Sequence, residues 1–214
     1  MQSHVRLRGR TDPVRVPKVI GLAANYGDRQ RPEPIVFLKL PTSIVWEGEA
    51  IRPPSAFPEL THEVEIVVLL GEGGRHIAEQ DAMRCVAGYA VGLDMNLALL
   101  KDLREGGWPW TLAKAWDTSA AVSEFVPASQ VADPHAIRFG LRVNGQVRQE
   151  ASTAEMIWRI PQQIAFLSRI FTLDEGDIIY TGTPAGVDAA RPGDRLDAWA
   201  EGIGEARWTV EEPR

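Results

Sequence analysis

The segment order predicts an α+β fold built on an extensive antiparallel or mixed sheet, and three observations carry that prediction. Residues 64–70 form a long β-branched run closed by Gly71. Asn144-Gly145, a pair that accepts positive φ at both centres of a type I′ turn, separates β-prone runs at 137–143 and 146–149 and so predicts a hairpin. Helical segments interrupt the strands here and there and do not alternate regularly with them.

The remaining elements follow in order. Runs at 19–22 and 35–39 are β-prone and flank a loop over 25–34 rich in Pro, Arg and Asp. Segments 43–46 and 49–51 flank a Glu47-Gly48 turn. A helix is expected over 78–87, a buried strand over 89–93, and a second helix over 97–105, closed by Gly106-Gly107. Pro161 suits the first turn of a helix reaching residue 170. A strand over 177–181 leads into Thr181-Gly182-Thr183-Pro184, and 195–200 with 205–210 read as a closing hairpin. No fixed-period repeat or low-complexity segment breaks the chain.

With 214 residues, 44% hydrophobic and 24% charged, the chain reads as one compact domain over 18–214 behind a polar N-terminal arm over 1–17. Lys plus Arg total 23 against 29 Asp plus Glu, giving a formal charge of −6, the wrong sign for nucleic acid. No apolar run approaches the roughly 18 residues of a membrane span, and residues 1–17 lack the apolar centre of a signal peptide, so a cytoplasmic protein is expected. The single Cys85 lies among Met83, Val86 and Ala87 and reads as a structural thiol.

Four local features bear on chemistry. Glu63 and Glu65, two apart at the start of an apolar strand, share a face. They are either a solvated strand face or a pair whose repulsion a hard divalent cation relieves. Asp94, ending the run 88–93, is either a helix N-cap or a ligand. Lys114, in the aromatic stretch Pro109-Trp110-Thr111-Leu112-Ala113-Lys114, either snorkels to solvent or supplies charge to a site. The Thr181-Gly182-Thr183-Pro184 turn either holds a carboxylate or is merely a turn.

Together these strings, with Asn25-Tyr26, Phe37-Leu38-Lys39, His62-Glu63-Val64-Glu65, Gly88-Tyr89 through Asp94, Val143-Asn144-Gly145 and Thr183-Pro184-Ala185-Gly186-Val187, resemble the fumarylacetoacetate hydrolase family from about Lys18 onward. The likeness is greatest to single-domain members acting on acylpyruvates and oxaloacetate. The resemblance implies a mixed β-sandwich roll with a few flanking helices, a homodimer, and Mg²⁺ or Mn²⁺ held by Glu63, Glu65 and Asp94. It implies a 2-oxo or dicarboxylic acid substrate chelated to the metal, with Lys114 beside the enolate. Asn25, Tyr26, Gly182 and Thr183 would surround the substrate, and Lys39 would stand at the pocket edge.

This chain also departs from the family pattern. Arg29 stands where hydrolytic relatives carry the histidine of a water-activating dyad, and Pro32 stands at the glutamate position, with Glu33 displaced by one. An arginine cannot act as a general base. Ala98 replaces a substrate-facing arginine. If 97–105 is helical, Lys101 lies one turn further on the same face and substitutes for it. The expected activity is carbon–carbon bond cleavage of a 2-oxo or 2,4-dioxo acid, by hydrolysis or, preferably, decarboxylation. The alternatives are an isomerase or tautomerase on related acids, or a metal-binding pseudoenzyme.

Overall fold

The computed structural model describes residues 3–28 and 32–214. Among them the main sheet is mixed and runs Ile35–Lys39, Val19–Ala23, Ile178–Tyr180, Val64–Leu70, Val86–Asp94, Ala120–Val122 and Ile44–Trp46, with Val126–Pro127 paired to Val86–Asp94. A second sheet, Gln146–Ser152, Arg138–Val143, Arg195–Ala200, Gly204–Val210 and Ala50–Ile51, is antiparallel except at its last pairing. A short third sheet joins Asn96–Leu97, Leu60–His62 and Asp188–Ala190.

Every residue of Val64–Leu70 is buried. Val64, Ile66, Val68 and Leu70 belong to the core shared with Phe139, Leu141, Leu196 and Trp208 of the second sheet. Val67 and Leu69 belong to a smaller cluster with Val19, Ile178 and Tyr180. A strand covered on both faces reads as an unbroken apolar run, which is why its sequence shows so little alternation. By parity Glu65 lies on the side of the smaller cluster.

Both predicted hairpins form. Asn144 and Gly145 take φ of 52° and 82° in the first, and Arg195–Ala200 pairs with Gly204–Val210 in the second. Pro161 lies in the first turn of the helix Ile160–Ile170, which buries Ile164 and Leu167.

Two helices are shorter than expected. Over 78–87 only Glu79–Ala82 is α-helical. A 3-10 turn at Met83–Cys85 follows, and the strand begins at Val86 because it pairs along Val64–Leu70. Cys85 is buried and free. In the second case Asn96–Leu97 pairs with Leu60–His62, so the helix is confined to Leu100–Glu105. Asp94 therefore ends a strand and caps no helix; the cap position is Leu99. In both, pairing with a neighbouring strand overrides local helix propensity.

The Glu47-Gly48 turn carries the chain from one sheet to the other: Ile44–Trp46 lies beside Ala120–Val122, and Ala50–Ile51 beside Gly204–Val210. The segment read as a polar arm pairs His4–Val5 with Val14–Arg15 and buries Val5, Val14 and Val16 in the smaller cluster. No helix of the described residues is long and apolar enough to cross a membrane.

Gly92 allows the strands around Asp94 to close. A Cβ there would lie 2.6 Å from the Ala121 carbonyl oxygen and 2.8 Å from Val67 Cγ2. Gly92→Ala should destabilise the fold by about 1–3 kcal/mol, read by calorimetry as a melting temperature several degrees lower.

Candidate active site

Glu63 occupies a one-residue break between Leu60–His62 and Val64–Leu70, and its carbonyl accepts the Asp94 N–H at 2.8 Å. Val64 pairs with Leu93 and Glu65 with Gly92, so the same register brings Asp94 opposite Glu63. One oxygen from each of Glu63, Glu65 and Asp94 lies within 4.8 Å of the others. All three side chains are buried, at 7%, 1% and 0% exposure.

Two buried lysines answer this charge. Lys114 donates to Glu63 Oε2 at 2.9 Å and, more closely, to Asp94 Oδ2. Lys39 Nζ lies 2.7 Å from Asp94 Oδ1, not aligned as a hydrogen bond, and donates to the carbonyls of Met95 at 3.0 Å and Lys114 at 2.6 Å. Lys114 does not snorkel: its ammonium is fully buried, 4.2 Å from the Phe37 ring centroid.

Burial works against the Lys114 ammonium, but Asp94 and Glu63 outweigh it and hold the group above the usual lysine value. Burial dominates at Lys39, which falls to about 8 despite Asp94. Asp94, opposed by burial, is held below the ordinary carboxylate range by Lys114 and Lys39. Burial pushes Glu63 up, offset in part by Lys114. Glu65 is raised furthest, by burial and then by repulsion from Asp94 and Glu63, and its one strong donor is the Gly182 N–H at 2.6 Å.

Three carboxylates thus face two ammoniums in a buried pocket, where burial favours the protonated form of Glu63 and Glu65 until a cation takes the place of the protons. An all-oxygen donor set of this kind fits a hard cation such as Mg²⁺ or Mn²⁺.

A cavity of about 670 Å³ opens over Glu63, with Tyr26, Arg104, Trp110, Glu150, Glu155 and Thr183 among its lining. The Tyr26 hydroxyl has no hydrogen-bond partner, and burial, then Glu65 and Glu155, holds its pKa above the usual phenol value. The Thr183 hydroxyl donates to the Val64 carbonyl at 2.9 Å and accepts from Gln149 Nε2 at 2.9 Å, so its proton is already committed.

Several residues expected around the substrate stand elsewhere. Lys39 is buried beside Asp94 and is not among the residues lining this cavity. Asn25 is spent on backbone, donating to the carbonyls of Trp158 and Thr181 and accepting the Trp158 N–H. Gly182, at φ +104° with Asn25 Cβ 2.6 Å from where its own Cβ would be, turns its N–H to Glu65. Lys101 is exposed and outside the cavity lining: the helix begins only at Leu100, so Ala98 and Lys101 do not share a helical face. Glu33 is exposed and His62 fully buried, and neither lines the cavity. Arg29 lies outside the described residues.

Sequence reasoning missed Gln149, which is 1% exposed and crosses from the second sheet. Its Oε1 accepts the Val64 N–H and faces His62 Nδ1, both at 3.0 Å, and its Nε2 donates to Thr183 Oγ1 and, at 3.0 Å, to the Pro184 carbonyl. One amide therefore ties the His62 imidazole and the Val64 backbone, on either side of Glu63, to the turn beside Glu65. The only signal was its place in the Asn144-Gly145 hairpin, whose register settles which polar residue turns inward. Gln149→Leu leaves these buried groups without partners and should cost at least about 2 kcal/mol in urea unfolding.

The sequence matches, over residues 14–211, the family model described as fumarylacetoacetate (FAA) hydrolase C-terminal. It is 43% identical over 201 residues to the mitochondrial oxaloacetate tautomerase FAHD1 of Rattus norvegicus, covering 90% of this chain and 91% of the relative. The fold superimposes on fumarylpyruvate hydrolase from Pseudomonas aeruginosa in complex with Mn²⁺ and pyruvate, with a TM-score of 0.91 and 33% identity over 99% of this chain and 97% of that one. It also superimposes on 5-carboxymethyl-2-hydroxymuconate delta-isomerase from Mycobacterium smegmatis, with a TM-score of 0.86 and 29% identity over 94% and 81%. From its carboxylate triad to its sheet order, the chain belongs to the fumarylacetoacetate hydrolase family.

Proposed function

We propose that this chain is a divalent-cation-dependent enzyme working through the enolate of a 2-oxo acid, and that its reaction is keto–enol tautomerisation of oxaloacetate-type acids. The observation that carries this reading is the buried triad of Glu63, Glu65 and Asp94 under a cleft large enough for a small acid. These three residues would hold Mg²⁺ or Mn²⁺, and the cation when bound supplies an electron sink for enolate charge. Lys114 adds a fixed positive charge at the same place. With its hydroxyl proton given to Val64, Thr183 has its backbone N–H left to offer a substrate carboxylate. The name of the rat relative and the Mn²⁺ and pyruvate in the Pseudomonas hydrolase support this chemistry.

Carbon–carbon cleavage is the second reading, favoured by the structural likeness to fumarylpyruvate hydrolase. Hydrolysis needs an activated water, and no histidine is among the described residues lining the cleft. Arginine at position 29 cannot supply the base. Decarboxylation needs no water: it starts from the keto form, and the electron pair released as CO₂ leaves passes into the enolate of pyruvate, so it competes with proton loss from C3 for the same bound keto acid. An NMR time course in D₂O tests the proposal. Mg²⁺-loaded protein should speed enol–keto conversion and deuterium exchange at C3 of oxaloacetate with the carbon skeleton intact, and should hydrolyse acetylpyruvate about 10²–10⁴-fold less efficiently. Pyruvate formed from oxaloacetate well above a protein-free Mg²⁺ control would favour decarboxylation instead.

Metal binding carries its own expectations. Because Glu63 and Glu65 hold protons to a higher pH than ordinary carboxyls, a cation must displace protons, and Mg²⁺ affinity should rise with pH. Calorimetry in buffers of different ionisation enthalpy reads the released protons. Glu65→Gln should weaken Mg²⁺ binding at least about tenfold. It should not lower the melting temperature of the metal-free protein, since it removes a charge from a crowded, buried site.

The reading extends to a homodimer. A groove of about 780 Å³ along the sheet-edge strand Ile35–Lys39 is lined largely by apolar side chains, with Leu38, Leu40 and Ile170 each about half exposed. Light scattering should give twice the chain mass, and Leu38→Asp with Leu40→Asp should reduce it to one.

A further inference from the structure

We propose that Arg104, propped on Trp110, selects acids bearing a second carboxylate remote from the metal-bound end, an assignment that rests on the metal-dependent reading above. Four charged side chains line the described part of the cleft: Glu63, Arg104, Glu150 and Glu155. Three are already engaged. Glu63 pairs with Lys114 at 2.9 Å, Glu150 with Arg138 at 2.6 Å, and Glu155 accepts the Ser152 N–H at 2.7 Å.

Arg104 differs. Among the described residues no carboxylate lies within 4 Å of it, and its guanidinium carbon stands 4.8 Å from the Trp110 ring centroid. An aromatic face holds a guanidinium plane in place while leaving its edge N–H donors free, the arrangement suited to bidentate capture of a carboxylate. Glu155, whose partner is a neutral backbone N–H, acts in the same direction by repulsion, because an anionic tail turned toward it meets like charge. Among the described residues the cleft therefore offers an acid held at Glu63, Glu65 and Asp94 a single cationic place for a second carboxylate. The helix carrying Arg104 starts late, at Leu100, and that shift puts this residue, and not Lys101, on the cleft wall.

The test is binding of pyruvate and of freshly dissolved oxaloacetate to Mn²⁺-loaded protein, followed by water-proton relaxation. Arg104→Met keeps a long apolar chain over Trp110 and removes the charge. It should weaken oxaloacetate about tenfold while changing pyruvate less than about twofold. Arg104→Lys, a point charge without the fork, should fall between wild type and Arg104→Met. Equal losses for both acids, no loss for either, or wild-type protein that binds pyruvate but not oxaloacetate would each overturn the assignment and leave the metal-dependent reading standing. Wild-type protein that binds neither acid overturns both.

Discussion

Asp94 faces an ammonium at each of its oxygens, Lys39 at Oδ1 and Lys114 at Oδ2, and the rest of the site depends on that pairing. Three carboxylates sharing a dry pocket repel one another by several kcal/mol unless opposite charge stands beside them. Lys39 comes from an edge strand of the main sheet and Lys114 from a one-turn helix at Thr111–Lys114. Because the Lys39 ammonium also donates to the carbonyl of Lys114, the two cations are tied to each other as well as to Asp94. Buried ion pairs of this kind add little net stability compared with apolar packing. Their use here lies in geometry: the ammoniums fix Glu63 and Asp94, and the Gly182 N–H fixes Glu65, before any cation arrives.

The second sheet takes part through one amide. Gln149 reaches across the interface between the sheets, and its four contacts leave neither end of the amide ambiguous, since a backbone N–H marks the acceptor and the Pro184 carbonyl marks the donor. Fixing the oxygen in turn makes His62 a donor through Nδ1. The buried Nε2 of His62 then presents a lone pair with no partner, so His62 is a bracing residue of the strand end and not a base facing the cleft. Asn25 performs the matching task on the other flank, holding the backbone of Trp158 and Thr181. The residues around the carboxylates are thus a backbone scaffold first, with few side chains left to meet a ligand.

Much of this was legible in the sequence where a local rule governs the outcome. The two-residue period placed Glu63 and Glu65 on one side, Asn144-Gly145 placed a hairpin, and Pro161 placed a helix start. Resemblance to the family joined Asp94 to the glutamates, which no local rule does, because residue 94 meets residue 63 only through strand register. The failures have the same origin. Helices expected over 78–87 and 97–105 lost residues to strand pairing, and the loss of Leu97 and Ala98 from the second undid the argument for Lys101. Lys39 lay on a strand whose alternation marks which residues turn inward, but alternation cannot tell a pocket edge from a pocket floor. The burial of Gln149 follows from a contact between sheets, which strand periodicity does not encode.

The departures from the family pattern acquire a physical meaning once the cleft is divided into floor and wall. Beneath Glu63, the charged cluster of Glu65, Asp94 and Lys114 rests on the paired strands Val64–Leu70 and Val86–Asp94 and on the short helix Thr111–Lys114. The wall comes from the loop around Tyr26, the short helix and turn that carry Arg104 and Trp110, and the end of the Arg138–Ser152 hairpin with Glu150 and Glu155. Such segments accept substitution without disturbing the core. Pro32 and Ala98 both fall in connecting segments, neither of them in the strands that hold the carboxylates. In this chain the buried charge thus sits on and beside the central strands, while Pro32 and Ala98 differ where the core is not disturbed.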